Sequence, residues 1–192
     1  MNSKTIILAS QSPRRVALLK QMNIECLVMP ADIDETALSG ESPCHYVLRL
    51  AEQKALAIVA KLNGEHADML VLAADTTVAL GSSIFGKPEN TADAFYMLKK
   101  LSGSTHQVHT AVALAFKGKC ETALNTTQVT MIALTDAMIS AYIATGEPLD
   151  KAGSYAIQGL AGNWINHIEG SYTGVMGLPV FETAQLLDKI GC

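Results

Sequence analysis

The sequence predicts an α/β protein, in which a mixed twisted sheet is flanked by helices on both faces. Two observations indicate this class. In the first half of the chain, short apolar runs alternate with segments of helical periodicity. At 105–132, a stretch dense in β-branched residues is divided by "KGK" around Gly118, which is typical of two antiparallel strands. The chain has 192 residues, so one domain spanning 1–192 is expected.

The remaining elements follow from local patterns. Apolar runs predict three strands, at 4–9, 25–29 and 69–75. Helical periodicity predicts four helices, at 13–22, 43–62, 91–101 and 135–145. The segment "TTVALGSSIFG" predicts a tight hairpin, and 153–177 predicts glycine-rich loops with short strands. Pro179 is expected to open a last helix that ends near residue 189.

Composition and charge argue against several classes of protein. Because 49% of the residues are hydrophobic and 17% charged, a compact, soluble chain is expected. The net charge of −4 and the scattered basic residues argue against a nucleic-acid-binding surface. No apolar run approaches the ~20 residues that span a bilayer. Reduced cytoplasmic thiols, rather than zinc ligands or disulfides, are expected for the cysteines, which have no C-x-x-C spacing: Cys26, Cys44, Cys120 and Cys192.

The segment "ILASQSPRRVALL" places two cations at the start of a predicted helix. Ser12 suits the N-cap and Pro13 the first helical position, so Arg14 and Arg15 fall in the first turn. The helix dipole disfavours cations there by about 0.3 to 1 kcal/mol each. A bound phosphate, held by free N–H groups, serine hydroxyls and guanidinium groups, would account for the pair. Two solvated arginines that bend away from the helix axis are the alternative.

Two carboxylates are candidates for chemistry. Asp75 ends an apolar strand in this prediction, at the carboxyl edge where ligands gather in open α/β sheets. A turn-forming or capping aspartate before Thr76 is the alternative. Glu35 lies in "ADIDET" after a predicted strand, where a solvated loop acid is the ordinary explanation.

Lys54 lies on the apolar side of the helix predicted at 43–62. Its position matches the i,i+3 and i,i+4 spacing of the apolar stripe formed by Val47, Leu50, Ala51, Ala55 and Ile58. Either the lysine stem snorkels from the edge of the stripe, or the ammonium group reaches a phosphate across a cleft.

Three other patterns carry less information. In "GSSIFGK", Pro88 follows where a phosphate-binding P-loop needs Ser or Thr, so the P-loop interpretation fails. "HIE" at 167–169 lacks the P-C-x-x-C partner of zinc deaminases. His106 and His109 are interpreted as ordinary sheet-surface histidines.

The candidates gain weight as a set. Lys87 can bind an anion without a P-loop, and "DKAGSYAIQG" adds Lys151 and Gln158 in a turn-rich region. If the fold brings the basic residues beside Glu35 and Asp75, the result is a site for a polyphosphate and a divalent metal. The basic members of this set are Arg14, Arg15, Lys54 and Lys87.

Over nearly its whole length the chain resembles the Maf family of nucleoside triphosphate pyrophosphatases, also described as septum-formation inhibitors. The motifs that carry the resemblance are "LASQSPRR", "DIDE", "EQKA", "AADTTV", "GKP", "LSGSTHQVHTAV" and "EPLDKAGSYAIQGLAG". It implies an α/β/α architecture with a cleft between two lobes and a cytoplasmic homodimer. It also implies Mg²⁺- or Mn²⁺-dependent hydrolysis of a nucleoside triphosphate to monophosphate and pyrophosphate, a nucleotide house-cleaning activity linked to cell division.

The same resemblance assigns roles to single residues. Asp75 would be the catalytic proton acceptor or a metal ligand, and Glu35 would help to hold the metal. The residues that would bind the phosphates are Ser10, Arg14, Arg15, Lys54 and Lys87. The form "DKAGSYAIQG" is similar to the branch that acts on dTTP and UTP, and Arg14, Thr76 and Gln158 match positions linked with base choice. The competing hypothesis is a noncatalytic nucleotide-binding regulator of septum formation.

Overall fold

The computed structural model describes residues 5–190. Cys192 and the first residue of the strand predicted at 4–9 lie outside this range. The described strands are β1 (Ile6–Leu8), β2 (Cys26–Val28), β3 (Val71–Leu80), β4 (Ser83–Phe85), β5 (Thr105–Phe116), β6 (Lys119–Met131) and β7 (Ile165–Glu169). The described helices are α1 (Pro13–Gln21), α2 (Pro43–Val59), α3 (Thr91–Leu101), α4 (Asp136–Ile143), α5 (Tyr172–Val175) and α6 (Val180–Lys189).

The strands form one mixed sheet, as the sequence predicts. Its order is β2-β1-β3-β5-β6-β7, with β4 paired to β3 off this path. The first three strands of that order are parallel, and every other pairing is antiparallel. The long hairpin β5–β6 is confirmed, with its turn at 117–118. The mixed α/β class is therefore confirmed.

Three predictions of the elements were wrong in detail. The strand predicted at 69–75 continues to Leu80, so Asp75 lies in the middle of β3. The β-branched residues after Asp75 let the strand continue along β5. The region 153–177 contains one strand, β7, among 3₁₀ turns and the short helix α5, and Pro179 is the N-cap of α6 rather than its first residue.

Helices cover both faces of the sheet. On one face, α1 and α6 pack against Leu8, Leu72 and Ala74. On the other, α2 packs against Ile7, Val71 and Ala73. The helices α3 and α4 cover the far half of the sheet, around Val108 and Met131. The alternation of side chains along β3 therefore decides which helix each residue meets. Within residues 5–190, no helix combines the length and apolar character needed to cross a membrane.

Candidate functional site

A cleft of about 740 Å³ lies where β1 ends and β3 continues beyond it. Its walls come from the loops after β1 and β2, from α1, α2 and β3, and from the segments 150–158 and 175–177. The cleft is lined by every residue that the sequence analysis singled out for catalysis, metal or substrate: Ser10, Arg14, Arg15, Glu35, Lys54, Asp75, Thr76, Lys87 and Gln158.

Two neighbouring residues of β3 point to opposite faces of the sheet and so to different helices. Asp75 has the parity of Val71 and Ala73, whose side chains pack against α2, and it meets Lys54 of that helix. Thr76 has the parity of Leu72 and Ala74 and meets Arg15 of α1. Because β1 pairs with β3 only as far as Leu72, nothing from β1 covers either residue. Asp75 is therefore at the carboxyl edge of the parallel strands, although β3 itself runs on.

Lys54 joins the two predicted carboxylates. Its Nζ donates to Asp75 Oδ1 at 2.6 Å and lies 2.7 Å from Glu35 Oε1. The lysine and Asp75 are both buried, whereas the Glu35 side chain is 48% exposed. Burial raises the pKa of the Asp75 carboxyl group, and the attraction of Lys54 opposes that shift. Lys54 therefore does not snorkel: its ammonium group is a buried counter-ion between two acids.

Arg15 connects the start of α1 to the rest of the cleft. Its Nε donates to the Gly177 carbonyl at 2.7 Å, Nη1 to Ser10 Oγ at 3.0 Å and Nη2 to Thr76 Oγ1 at 3.3 Å. A guanidinium group has five N–H bonds, and these three contacts use three of them, so two remain for an anion. Burial lowers the pKa of Arg15, and the Asp75 carboxylate opposes the shift. Arg15 thus links α1 to β3 and to the segment 175–177, and it is also a candidate anion ligand.

The N-terminus of α1 differs in one respect from the expectation. Ser12 occupies the N-cap, but its side chain caps no N–H group, and its own N–H donates to Ser10 Oγ at 3.2 Å. Arg14 lies beside it in the first turn. Among the side chains that the structure describes, no ion pair engages Arg14 or Lys87, which both line the cleft and are available to an anion there.

The loop that carries Glu35 is held by α2. Tyr46 donates its hydroxyl to the Glu35 carbonyl at 3.0 Å, and burial raises the pKa of Tyr46 to about 12, which keeps this donor protonated. Arg49 donates to the Thr36 carbonyl at 3.1 Å and to both oxygens of Glu41 at 2.7 Å. The Arg49 hydrogen bonds lower the pKa of Glu41 to about 2. Glu35 is therefore on a fixed loop although its side chain is exposed.

The segment 150–158 forms the opposite wall of the cleft. Gly153 has φ +67°, and a Cβ there would lie 2.8 Å from the Val78 side chain, so this close approach to β3 requires glycine. The Gly153 N–H donates to the Gly86 carbonyl at 3.0 Å, which ties the segment to the turn before Lys87. Gln158 is exposed at the end of this wall.

The interpretation of the two histidines was wrong, because both are buried. His106 is 1% exposed and its Nε2 lies 2.8 Å from the Tyr155 hydroxyl, and burial lowers its pKa to about 4. His109 is 3% exposed and contacts Thr126 and Cys44. Tyr155 contacts His106 and Cys44 of α2 contacts His109, and no local pattern in the sequence indicates such long-range contacts.

The cleft is also lined by residues that the sequence did not single out, among them Tyr46, Tyr155 and Gly177. Tyr46 lies eight residues before Lys54 on the same helix, so its spacing on α2 could have suggested it. Gly177 accepts a hydrogen bond from Arg15 through its backbone carbonyl. Every residue has such a carbonyl, so the sequence does not reveal this contact.

The carboxylate oxygens of Glu35 and Asp75 suit a single cation. Glu35 and Asp75 each place an oxygen within 2.7 Å of one ammonium nitrogen, so both acids converge on a point that a positive charge can occupy. Among the side chains that the structure describes, no cluster of three or more His, Cys, Asp or Glu residues could hold a metal by itself. A divalent cation here would take its other ligands from phosphate oxygens and water, as Mg²⁺ usually does.

Fold and site together define a class: an α/β protein with a cleft at the carboxyl edge of a mixed sheet, lined by clustered cations and two convergent carboxylates. The family model described as "Maf-like protein" matches residues 5–190. The chain belongs to the Maf family.

Curated relatives align over nearly the whole chain. A protein of Methylobacillus flagellatus is 52% identical over 191 residues, covering 100% of this chain and 95% of its own. One of Pseudoalteromonas atlantica is 51% identical over 96% of each chain. One of Neisseria meningitidis serogroup B is 44% identical, over 97% of this chain and 94% of its own. All three are named "dTTP/UTP pyrophosphatase". The solved structure of the Staphylococcus aureus Ham1 protein aligns with a TM-score of 0.48 and 17% identity, over 67% of this chain and 72% of its own.

Proposed function

We propose that this protein hydrolyses nucleoside triphosphates, dTTP and UTP foremost, to the monophosphate and pyrophosphate with Mg²⁺ or Mn²⁺. One observation carries the proposal: Lys54, Asp75 and Glu35 converge in a cleft that also presents Arg14, Arg15 and Lys87. The names of the curated relatives support the same reaction and substrates.

In this reaction Asp75 accepts a proton from a water molecule. The water oxygen forms a bond to the α-phosphorus, the bond from that phosphorus to the bridging oxygen breaks, and pyrophosphate leaves. A raised pKa suits this role, because a carboxylate with a higher pKa is a stronger base. Glu35 and Asp75 would hold the divalent metal, which supplies charge neutralisation to the triphosphate.

The cationic side chains bind and orient the triphosphate. Lys54 exchanges its carboxylate partners for phosphate oxygens, while Arg14, Lys87 and the two remaining N–H bonds of Arg15 receive the rest of the chain of phosphates. Ser10 lines the same end and fixes Arg15. Because these positive charges are already in place before the reaction, they stabilise the additional negative charge that develops on the phosphate in the transition state.

In this proposal Gln158 pairs with the base. The resemblance also links Thr76 and Arg14 with base choice, and Arg14 contributes its charge to the phosphates as well. A uracil or thymine edge presents two carbonyl acceptors around one N–H donor, and an amide side chain pairs with adjacent members of that pattern. Cytosine presents an amine and an unprotonated nitrogen at the same points. An amide network made for uracil leaves groups unpaired against CTP.

Pyrophosphate release tests the proposal directly. With dTTP or UTP and Mg²⁺ or Mn²⁺, we expect release of pyrophosphate and nucleoside monophosphate, and EDTA is expected to abolish it. Tight nucleotide binding without turnover would contradict the proposal. That result would favour the noncatalytic regulator of septum formation instead.

Three further expectations belong to this proposal. The family match over residues 5–190 supports one domain over 1–192. The homodimer and the cytoplasmic location follow from the resemblance, and sedimentation equilibrium and cell fractionation test them. The net charge of −4 supports a nucleotide partner rather than nucleic acid.

A further inference from the structure

Gln158 is carried by an irregular segment. It lies between the 3₁₀ turns Ala152–Ser154 and Leu160–Trp164, so neither a helix nor a strand fixes its backbone. Its side chain is exposed in the cleft. An amide that discriminates between bases must be held in one place, because a mobile amide adapts to either hydrogen-bond pattern.

Tyr142 of α4 holds this segment on one side of Gln158. The tyrosine is 3% exposed, and its hydroxyl accepts the Ala156 N–H at 3.2 Å while donating to Glu147 Oε1 at 2.8 Å. Its ring packs edge-on against Trp164, with the ring centroids 5.0 Å apart. Burial raises the pKa of Tyr142, so the hydroxyl stays a donor.

Glu147 holds the segment on the other side. Its Oε2 accepts the Leu160 N–H at 3.3 Å, and its own carbonyl accepts from Lys151 Nζ at 3.0 Å. A Cβ on Gly159 would lie 1.9 Å from Glu147 Oε1, so the carboxylate fills the space directly behind the backbone at that residue. The two anchored amides, of Ala156 and Leu160, flank Gln158 at equal distances along the chain.

Neither anchor lines the cleft. Tyr142 and Glu147 are absent from the residues that line the cleft, whereas Ala156, Ile157 and Gln158 line it. The two side chains form one network, because the Tyr142 hydroxyl is bonded to the same carboxylate that anchors Leu160. Their action on a bound base therefore has to pass through the backbone of 156–160.

We propose that Tyr142 and Glu147 are positioning residues that set the base preference, by fixing the backbone of 156–160 behind Gln158. The inference rests on the proposed assignment of Gln158 to the base. Removing either anchor loosens the segment, so Gln158 adapts to cytosine as well as to uracil. The preference for dTTP over CTP falls, while the binding of phosphates at the far end of the cleft is unchanged.

The experiment compares Tyr142→Phe and Glu147→Gln with the parent. Tyr96→Phe and Glu121→Gln are matched controls, because they make the same chemical changes at exposed positions on α3 and β6. Three quantities are measured: amide hydrogen exchange at 156–160, the ratio of kcat/KM for dTTP and CTP, and the inhibition constant of inorganic pyrophosphate. We expect faster exchange, a ratio reduced about tenfold and an unchanged inhibition constant in the two test variants only.

The double variant Tyr142→Phe/Glu147→Gln tests whether the pair acts as one network. We expect its dTTP-to-CTP ratio to equal that of the worse single variant rather than the product of both effects. Circular dichroism checks the fold, and if Tyr142→Phe does not fold, Glu147→Gln carries the test, since its amide keeps the shape of the carboxylate.

The failures of this inference and of the proposed function are distinguishable. Absence of pyrophosphate release in the parent refutes the proposed function. The inference alone is refuted if the parent is active and the variants show faster amide exchange at 156–160 but keep the parental ratio of kcat/KM for dTTP and CTP. Unchanged exchange at 156–160 also refutes it, because the anchors would then not hold the segment.

Discussion

The two ends of the cleft are held in place in different ways. At the phosphate end, Asp75 and Lys54 are buried on β3 and α2, whose geometry is fixed by regular backbone hydrogen bonds. At the base end, Gln158 is exposed on an irregular segment. Tyr142 of α4 and Glu147 of the following turn anchor that segment through backbone N–H groups. On the proposals above, the comparison separates two properties: the sheet and α2 would determine how fast any triphosphate reacts, and the anchored segment would determine which base is preferred.

The largest effect is expected from Asp75→Asn at the phosphate end. The amide keeps the shape of the carboxylate but accepts no proton at neutral pH and binds metal poorly. We expect kcat to fall about 10³-fold, equally for dTTP and CTP, with an unchanged circular dichroism spectrum.

Asp68→Asn serves as the matched control, since Asp68 is exposed away from the cleft. Its kcat is expected to equal that of the parent. Activity of Asp75→Asn near the parental value would remove Asp75 from the mechanism. A fall in kcat for only one of the two nucleotides would contradict the separate roles of the phosphate end and the base end.

A smaller and selective effect is expected from Gln158→Ala at the base end. Removing the amide takes away the pairing that distinguishes uracil from cytosine, so the ratio of kcat/KM for dTTP and CTP is expected to fall about tenfold. The inhibition constant of inorganic pyrophosphate is expected to stay unchanged, because pyrophosphate has no base. Steady-state kinetics with both nucleotides measures the ratio.

Gln107→Ala is the control, because Gln107 is exposed on β5 outside the cleft. If Gln158→Ala keeps the parental ratio, Gln158 has no part in base recognition. A parent that prefers a purine triphosphate to dTTP and UTP would instead overturn the assignment to the dTTP and UTP branch.

The smallest effect is expected from Glu41→Gln, in the loop that carries Glu35. The pKa of Glu41 is lowered from 4.5 to about 2, so the ion pair with Arg49 stabilises the folded state above pH 4.5. At neutral pH we expect the variant to have a Tm lower by about 2 to 4 °C. The difference is expected to shrink as the pH falls from 4.5 towards about 2, where Glu41 becomes protonated.

Differential scanning calorimetry across this pH range measures the effect, with Glu121→Gln as an exposed control. A Tm difference that is constant with pH would show that the charge of Glu41 contributes nothing. In that case, the neutral hydrogen bonds of the loop would be what holds Glu35.

The sequence predicted the fold well where the pattern is local. The hairpin β5–β6 needs only β-branched residues and a glycine turn, and the buried stripe of α2 repeats at helical spacing. The prediction failed where long-range pairing decides. Asp75 was placed at a strand end, but β5 supplies partners for β3 from Val71 to Ala79, so the strand continues.

The candidate site followed from residues that are unusual for their position. A lysine in an apolar stripe, and arginines at a helix N-terminus, point to a ligand because their local structure does not favour them. The anchors Tyr142 and Glu147 gave no such signal. They act on backbone N–H groups up to 14 residues away, and each non-proline residue carries an N–H group of the same kind.

The hydrogen bond from Arg15 to the Gly177 carbonyl has a consequence for the synthesis of the chain. It joins residues 162 positions apart, so a growing polypeptide cannot complete the arginine's contacts until that late segment has left the ribosome. The strands β1, β3 and β5 all end by residue 116, whereas α6, which covers one of their faces, begins at residue 180. The strands that line the cleft are therefore synthesised well before the segment that completes the cleft wall around Arg15.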